Sequence, residues 1–207
     1  MALHEYLDEL LGSKASMRVL RTLVRYKGKV FTVRELARAS GLSHPEVSSV
    51  VKSLERRGVV KLQPVGRAYQ VVLNEGSYTL KSILEPLLKA EQNTLSSLAS
   101  TIRPFFKDTG ITSVVIFGSV AKGLERESSD VDVLIIAGNR EAANGCAAGA
   151  SAAALARFGV ELSPLIISRG ELIRRQNEDF VKSMLESYTL VKGKDPKELV
   201  MGVETGQ

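Results

Sequence analysis

The sequence predicts an α/β protein of the α+β type: a small helical domain with a β-hairpin, followed by a domain with a mixed sheet and flanking helices. Basic charge is concentrated early, since residues 14 to 67 hold 13 Lys and Arg against three acids, a net charge of +10. The same stretch has helical periodicity and ends in two strand-like runs. In the second half, strand-like runs flank a Gly-Ser turn and two aspartates.

The basic segment opens with two helices. The first is predicted over residues 15 to 26, where leucines and a valine recur on one helical face. Thr32 then caps a short helix over residues 33 to 39, with Glu35 three residues after it as in a capping box. Gly41 makes the turn that follows.

A third helix and a hairpin complete the pattern. Ser43 caps the helix, and Pro45 lies in its first turn, where a missing N–H does no harm. Residues 59 to 63 and 68 to 73 read as strands joined by residues 64 to 67, a hairpin or wing. The third helix has an apolar stripe that we expect to be buried: Val47, Val50, Val51 and Leu54.

Residues 14 to 76 resemble the winged-helix DNA-binding domain of bacterial and archaeal transcription regulators, and we assign residues 1 to 76 to this domain. The resemblance implies that double-stranded DNA is a partner and that the third helix enters a major groove. A winged helix can also be a protein-docking module, but the charge of +10 favours DNA. The side chains expected to face the bases are His44, Glu46, Ser48, Ser49, Lys52 and Ser53, and those expected to contact phosphates are Arg56, Arg57 and the wing residue Arg67.

Residues 77 to 103 predict a helical connector. Leucines and isoleucines recur at helical spacing through this segment, beyond what a solvated linker needs. The stripe either docks on one of the domains or pairs with a second copy of the chain. Because winged-helix regulators commonly dimerise to read two half-sites, a homodimer is expected.

The second domain, assigned to residues 104 to 207, begins with a buried strand over residues 111 to 117. Gly118 and Ser119 turn this strand into a short helix, where a phosphate can approach the backbone and accept hydrogen bonds. Lys122 lies nearby as a positive charge. A P-loop is excluded, because Leu124 and Glu125 stand where that motif requires Lys and Ser or Thr.

Asp130 and Asp132 stand one residue apart in an apolar strand. Successive strand side chains point to opposite faces, so these two carboxylates share a face. Two like charges so close repel each other, and a divalent cation is the partner that satisfies both. The pair therefore predicts a metal site.

The turn residues Gly118 and Ser119, then Lys122-Gly123 and the run from Ser129 to Asp132, resemble the signature of the DNA polymerase β-like nucleotidyltransferases, in particular the minimal branch. The resemblance implies that the paired acids bind two Mg²⁺ ions and that the Gly-Ser turn holds a nucleoside triphosphate. It also implies a third acid on a neighbouring strand.

Glu161 is the candidate for that third acid, as the only acid in the strand-like run over residues 159 to 167. The family more often has Asp there, so Glu161 departs in length, and Ser163 on the same face could share the site. The resulting sites are catalytic and metal-binding residues Asp130, Asp132 and Glu161, and nucleotide-binding residues Gly118, Ser119 and Lys122.

The predicted function is a DNA-binding transcription regulator fused to a magnesium-dependent nucleotidyltransferase. It would move a nucleoside monophosphate, AMP if the triphosphate is ATP, to an acceptor hydroxyl. Relatives of this branch adenylate tyrosines of HEPN-type ribonuclease toxins, so the resemblance suggests a protein acceptor. The alternative is a regulator without enzymatic activity whose second domain senses a nucleotide.

The composition limits the compartment and the partners. Cys146 is the only cysteine, so no disulfide can form within the chain, which fits a reducing cytoplasm. No apolar run approaches the roughly 20 residues needed to cross a bilayer. We therefore expect a soluble, cytoplasmic protein with no membrane partner.

Overall fold

The computed structural model of the protein describes residues 6 to 66, 68 to 107, 110 to 126 and 129 to 201. It divides the chain into two compact units, with the boundary between Gln92 and Asn93. Each unit has its own hydrophobic core, and the second unit has one on each face of its sheet. The α+β class expected from the sequence is confirmed.

The first unit is a set of helices followed by a three-stranded antiparallel sheet in the order β1-β3-β2. Its helices include the three that the sequence predicts, and all three contribute side chains to its core. Its elements are α1 (Leu7–Leu11), α2 (Lys14–Arg25), β1 (Phe31–Thr32), α3 (Val33–Ser40), α4 (His44–Arg56), β2 (Val60–Val65), β3 (Ala68–Leu73), a π-helical turn (Leu80–Leu84) and α5 (Glu85–Gln92).

Helices α3 and α4 each begin directly after a capping residue. Thr32 and Glu35 form both hydrogen bonds of a capping box at α3, as the sequence predicts. Ser43 and Glu46 form a second box at α4, which satisfies the backbone N–H groups of these two residues. On the opposite face of α4, Val47, Val51 and Leu54 are buried and Val50 is half-buried.

The wing differs from the sequence expectation. Residues 64 and 65 were expected in the hairpin connection, but Pro64 lies within β2, paired with Tyr69, and Val65 pairs with Ala68. Proline removes a backbone donor, which an edge strand tolerates, and β2 is an edge strand of this sheet. The connection is therefore shortened to residues 66 and 67, of which Arg67 lies outside the described residues.

Apolar side chains of the connector are buried in both units. Leu80, Leu84 and Leu88 are fully buried in the core of the first unit. Leu98 and Ile102 are buried in a core of the second unit. The stripe thus docks, but on both units rather than on one. A homodimer stays a prediction, and these buried side chains do not support it.

The second unit is built on a four-stranded mixed sheet in the order β6-β5-β4-β7. β5 pairs parallel with β6, while β4 pairs antiparallel with β5 and with β7. Its elements are α6 (Thr94–Ile102), a 3₁₀ turn (Arg103–Phe106), β4 (Ile111–Ile116), α7 (Gly118–Lys122), β5 (Val131–Ala137), α8 (Arg140–Phe158), β6 (Leu162–Ile167), α9 (Arg169–Arg174), α10 (Asp179–Glu186), β7 (Thr189–Gly193) and α11 (Pro196–Met201).

The sheet separates two cores. Val131, Val133 and Ile135 of β5 point to the face covered by α6 and α8. Leu134 and Ile136 point to the other face, where they meet side chains of α9, α10 and α11. Because strand side chains alternate, Asp132 belongs to this second face. Helices α9, α10 and α11 therefore cover the face of the sheet to which Asp132 belongs.

The last described helix packs on the second unit. α11 buries Pro196 and Leu199. Asp195 accepts hydrogen bonds from the Tyr188 hydroxyl and from the backbone N–H of Lys197. Burial and the Asp195 hydrogen bond raise the pKa of Tyr188 to about 12.

Within the described part of the chain, no helix is long and apolar enough to cross a bilayer.

Candidate functional site

The Gly-Ser turn is fixed against the strand that carries the acids. Gly118 has φ +75°, a left-handed conformation that favours glycine. A Cβ atom added at Gly118 would overlap Oδ2 of Asp132, so the lack of a side chain also permits this close approach. The backbone N–H of Phe117 donates to the Asp132 carbonyl at 3.0 Å. Only glycine fits between the turn and the acid.

The two aspartates share a face but differ in exposure. Asp130 precedes β5 and is exposed, whereas Asp132 is half-buried and the neighbouring Val131 and Val133 are buried on the other face. Burial raises the pKa of Asp132 above its ordinary value, and the charge of Asp130 adds to this effect. Both causes disfavour the ionised form, so a cation would stabilise this pair.

Glu161 does not join the aspartates in a cluster. It is exposed, just before β6, and its backbone carbonyl accepts a hydrogen bond from the Val131 N–H at 2.9 Å. The parallel register places Ser163 beside Asp132. Among the described residues, no three or more His, Cys, Asp and Glu side chains are grouped so as to hold a metal ion. The roles of Glu161 as metal ligand and catalytic residue stay predictions.

The oxygen atoms of the other site residues still suit Mg²⁺ as ligands. This ion keeps several waters and is commonly bound by one or two carboxylates together with substrate phosphates. Asp130 and Asp132 supply two carboxylates, and the Ser163 hydroxyl adds an oxygen beside Asp132. The oxygen donors therefore fit one Mg²⁺ ion, while a second ion would need a further ligand.

Ser119 and Lys122 belong to the short helix α7. This helix begins after Phe117 and has no side-chain hydrogen bond that caps it. The Ser119 hydroxyl is half-buried and does not cap the helix. Lys122 is exposed, and its Nζ donates to the Ser183 hydroxyl on α10 at 2.9 Å. The expected phosphate ligand is thus held towards α10.

A pocket of about 380 Å³ opens beside Asp132, within the range of small-molecule sites. Sequence reasoning missed the part of it that comes from α10, because that helix reads as an ordinary amphipathic helix. The residues lining the pocket are Phe117, Gly118, Asp132, Ser163, Leu165, Phe180, Ser183 and Met184.

The predicted DNA-reading face lies on α4. His44, Ser49, Lys52 and Arg56 are exposed, and Ser48 is half-buried. Arg57 is also half-buried, which limits its reach towards a phosphate. Glu46 was expected to face the bases, but its carboxylate accepts hydrogen bonds from the Ser43 backbone N–H and hydroxyl, which lower its pKa. Glu46 therefore serves the helix start.

A concave surface joins α4 to the start of α3 and to β3. Its volume is about 450 Å³. Arg34 and Tyr69, which sequence reasoning missed, are both exposed there. A backbone turn and the pairing of two distant strands bring them beside α4, so no local motif indicates them. The lining residues are Thr32, Val33, Arg34, His44, Ser48, Ala68 and Tyr69.

Comparison with family models gave two matches on separate parts of the chain. The MarR family model matches residues 13 to 68, and the nucleotidyltransferase domain model matches residues 99 to 192. The chain joins a MarR-type winged helix to a nucleotidyltransferase domain. The matches describe a MarR-like DNA-binding regulator fused to a nucleotidyltransferase domain, and the second domain supports the transferase class.

Solved structures show distant similarity to this chain or to parts of it. The AntR antimony-specific transcriptional repressor is 19% identical, over 44% of this chain and 75% of that one, with TM-score 0.36. A toxin-antitoxin structure with AMP-PNP is 12% identical, over 55% and 84%, with TM-score 0.34. TrmBL2, an archaeal chromatin protein, is 20% identical, over 86% and 73%, with TM-score 0.31. A comparison with curated proteins gave no match.

Proposed function

We propose that the nucleotidyltransferase domain moves a nucleoside monophosphate from a triphosphate, with ATP as the expected donor, to an acceptor hydroxyl. The observation that carries the proposal is the contact between Gly118 and Asp132, which brings the turn expected to bind phosphate against the carboxylate pair beside a pocket. A turn with free N–H groups suits phosphate oxygens, and paired carboxylates suit a cation. The two features together fit a triphosphate with its metal.

Each residue has a distinct part in this proposal. The backbone at Gly118 and the Ser119 hydroxyl would donate to the triphosphate, and Lys122 would add a positive charge if it left Ser183. Asp130 and Asp132 would hold Mg²⁺. When bound, Mg²⁺ neutralises charge on the phosphates and orients them.

The reaction would be in-line attack by the acceptor hydroxyl on the α-phosphorus. A new oxygen–phosphorus bond forms, the bond to the β-phosphate breaks, and pyrophosphate leaves. A carboxylate of the site would take the hydroxyl proton. The proposed acceptor is a hydroxyl on a protein, such as a tyrosine of a HEPN-type toxin, on the strength of the sequence resemblance.

The proposed DNA contacts lie on α4 and the concave surface beside it. His44, Ser49 and Lys52 are exposed where α4 would meet base edges. Arg34 and Arg56 would contact phosphates on either side. The charge of +10 between residues 14 and 67 supports strong, salt-dependent attraction to DNA.

One experiment tests the transfer reaction. Purified protein, Mg²⁺ and ATP labelled on its α-phosphate are incubated with cell lysate, and proteins are separated to find a labelled acceptor. The wild-type protein should label one acceptor, and Asp130→Asn should reduce labelling at least 100-fold. Asp130 is exposed, so its replacement should leave the fold intact. Glu125→Gln, in the exposed loop before the acids, is the matched control and should label normally.

A nucleotide-sensing regulator is the second candidate. The observation that favours it is that Glu161 does not complete a three-carboxylate cluster among the described residues. In that case no acceptor would be labelled by the wild-type protein, while ATP would change the affinity for operator DNA. Labelling that disappears in Asp130→Asn would exclude the sensor as the sole function.

A further inference from the structure

The pocket beside Asp132 has a wall that phosphate chemistry does not use. α10 contributes Phe180, Ser183 and Met184 to this wall, and β6 contributes Leu165. A triphosphate and its cation need oxygen and nitrogen partners, whereas three of these four side chains offer no oxygen or nitrogen. The wall therefore suits a different, largely apolar part of a ligand.

Phe180 is the exposed aromatic ring of this wall. Its neighbours Val181 and Met184 are buried in the core, but Phe180 is 38% exposed. Its ring is nonetheless positioned by two contacts. Phe117 meets it at 85° with ring centroids 5.6 Å apart, and the Arg175 guanidinium lies 5.9 Å from its centroid. A ring that is exposed and held in place can stack on a planar ligand.

The apolar wall is linked to the phosphate end of the pocket. Lys122 of α7 donates to the Ser183 hydroxyl of α10 at 2.9 Å. Phe117, which contacts Phe180, immediately precedes the Gly118 turn. One pocket is thus lined by the Gly118 turn, the Asp132 carboxylate and the Phe180 ring.

We propose that Phe180 is the stacking platform for the base of the nucleotide, with Leu165 and Met184 completing an apolar base subsite. The inference rests on the proposed function, because it takes the triphosphate to lie at Gly118. A nucleoside triphosphate has a planar base at one end and a polyanion at the other, so it matches both parts of this pocket. Stacking on a ring is tolerant of the base, since every base has a π-face.

Calorimetric titration with Mg²⁺ and two probes separates the base from the phosphates. ATP carries both parts, and inorganic triphosphate carries only the phosphate part. Phe180→Ala should weaken ATP binding about tenfold, the scale of one lost base stack, and leave triphosphate binding unchanged. Phe180→Leu, which keeps an apolar side chain without a ring, should also weaken ATP binding, whereas Phe180→Trp should retain it.

Phe105→Ala is the matched control. Phe105 is 40% exposed in the same domain and is not among the residues lining the pocket, so its loss should leave ATP affinity unchanged. Wild-type affinity for ATP in both Phe180→Ala and Phe180→Leu would overturn the inference, as would equal losses for ATP and triphosphate. If the wild-type protein bound neither probe, the proposed function itself would fail. Melting temperatures check that each variant is folded.

Discussion

The two domains distribute their functional side chains in opposite ways. The winged helix spreads cations over several helices, with Arg34 on α3 and Lys52 and Arg56 on α4 all exposed. The nucleotidyltransferase domain concentrates its site where Gly118 contacts Asp132. Electrostatic attraction to DNA sums over many charges, whereas a metal-nucleotide site depends on a few fixed contacts. Single substitutions should therefore have small effects in the first domain and large effects in the second.

The largest expected effect is that of Gly118→Ala. The added Cβ would overlap the Asp132 carboxylate, and alanine is strained at φ +75°. Nucleotide transfer in the labelling assay should fall at least 100-fold. Gly138→Ala is the control, because no atom lies within 4 Å of a Cβ at that position. Normal transfer by Gly118→Ala would show that the turn does not shape the site.

A smaller effect is expected for Arg34→Ala in the winged helix. Loss of one phosphate contact should weaken binding to duplex DNA by roughly tenfold or less, equally for all sequences, and reduce the slope of log affinity against log salt by about one. Fluorescence anisotropy at several salt concentrations measures both quantities. Lys89→Ala removes an exposed charge on α5, which is not among the residues lining the concave surface, and should leave the slope nearly unchanged. Complete loss of binding in Arg34→Ala would contradict the distributed arrangement.

The smallest effect concerns stability and pH. The pKa of Asp132 is raised in the folded state by burial and by Asp130. Its contribution to stability is therefore present below the unfolded pKa and lost as pH rises through the folded value. Asp132→Asn removes the ionised form and should raise the melting temperature at pH 7 without Mg²⁺, by about 1–3 °C.

The gain for Asp132→Asn should shrink as the pH falls towards 3.8, the ordinary aspartate pKa. Differential scanning calorimetry across this pH range tests the sign. Ser163→Ala, at the neighbouring register position, carries no titrating group and should show no such pH dependence. A variant Asp132→Asn that is less stable than the wild type at pH 7 would contradict the burial argument.

Local signals were sufficient for much of the fold. The capping box of Thr32 and Glu35 gives the start of α3, and the alternation around Asp132 gives its face on β5. Gly118 was correctly expected at a turn, because glycine and a following short helix are adjacent in sequence. These features depend on neighbours within a few residues, which is why the sequence alone predicts them.

Features set by distant packing were not predicted. Pro64 continues β2 because β2 lies at the edge of the sheet, which only the strand order reveals. Phe180 reaches the pocket because α10 packs on the acid face, and nothing near residue 180 indicates this. Glu161 is exposed just before β6 and forms no cluster with the aspartates, an outcome that depends on how β6 pairs with β5 and that its sequence neighbours do not indicate.

The division of the connector between two cores has an evolutionary consequence. Leu88 is buried in one core and Leu98 in another, so the boundary between Gln92 and Asn93 leaves the buried residues of each core on one side of it. A gene fusion or recombination event at this boundary would transfer each module with its interior whole. The same DNA-binding domain could in this way be joined to a different enzyme domain. Neither domain would first need new surface residues to cover an exposed core.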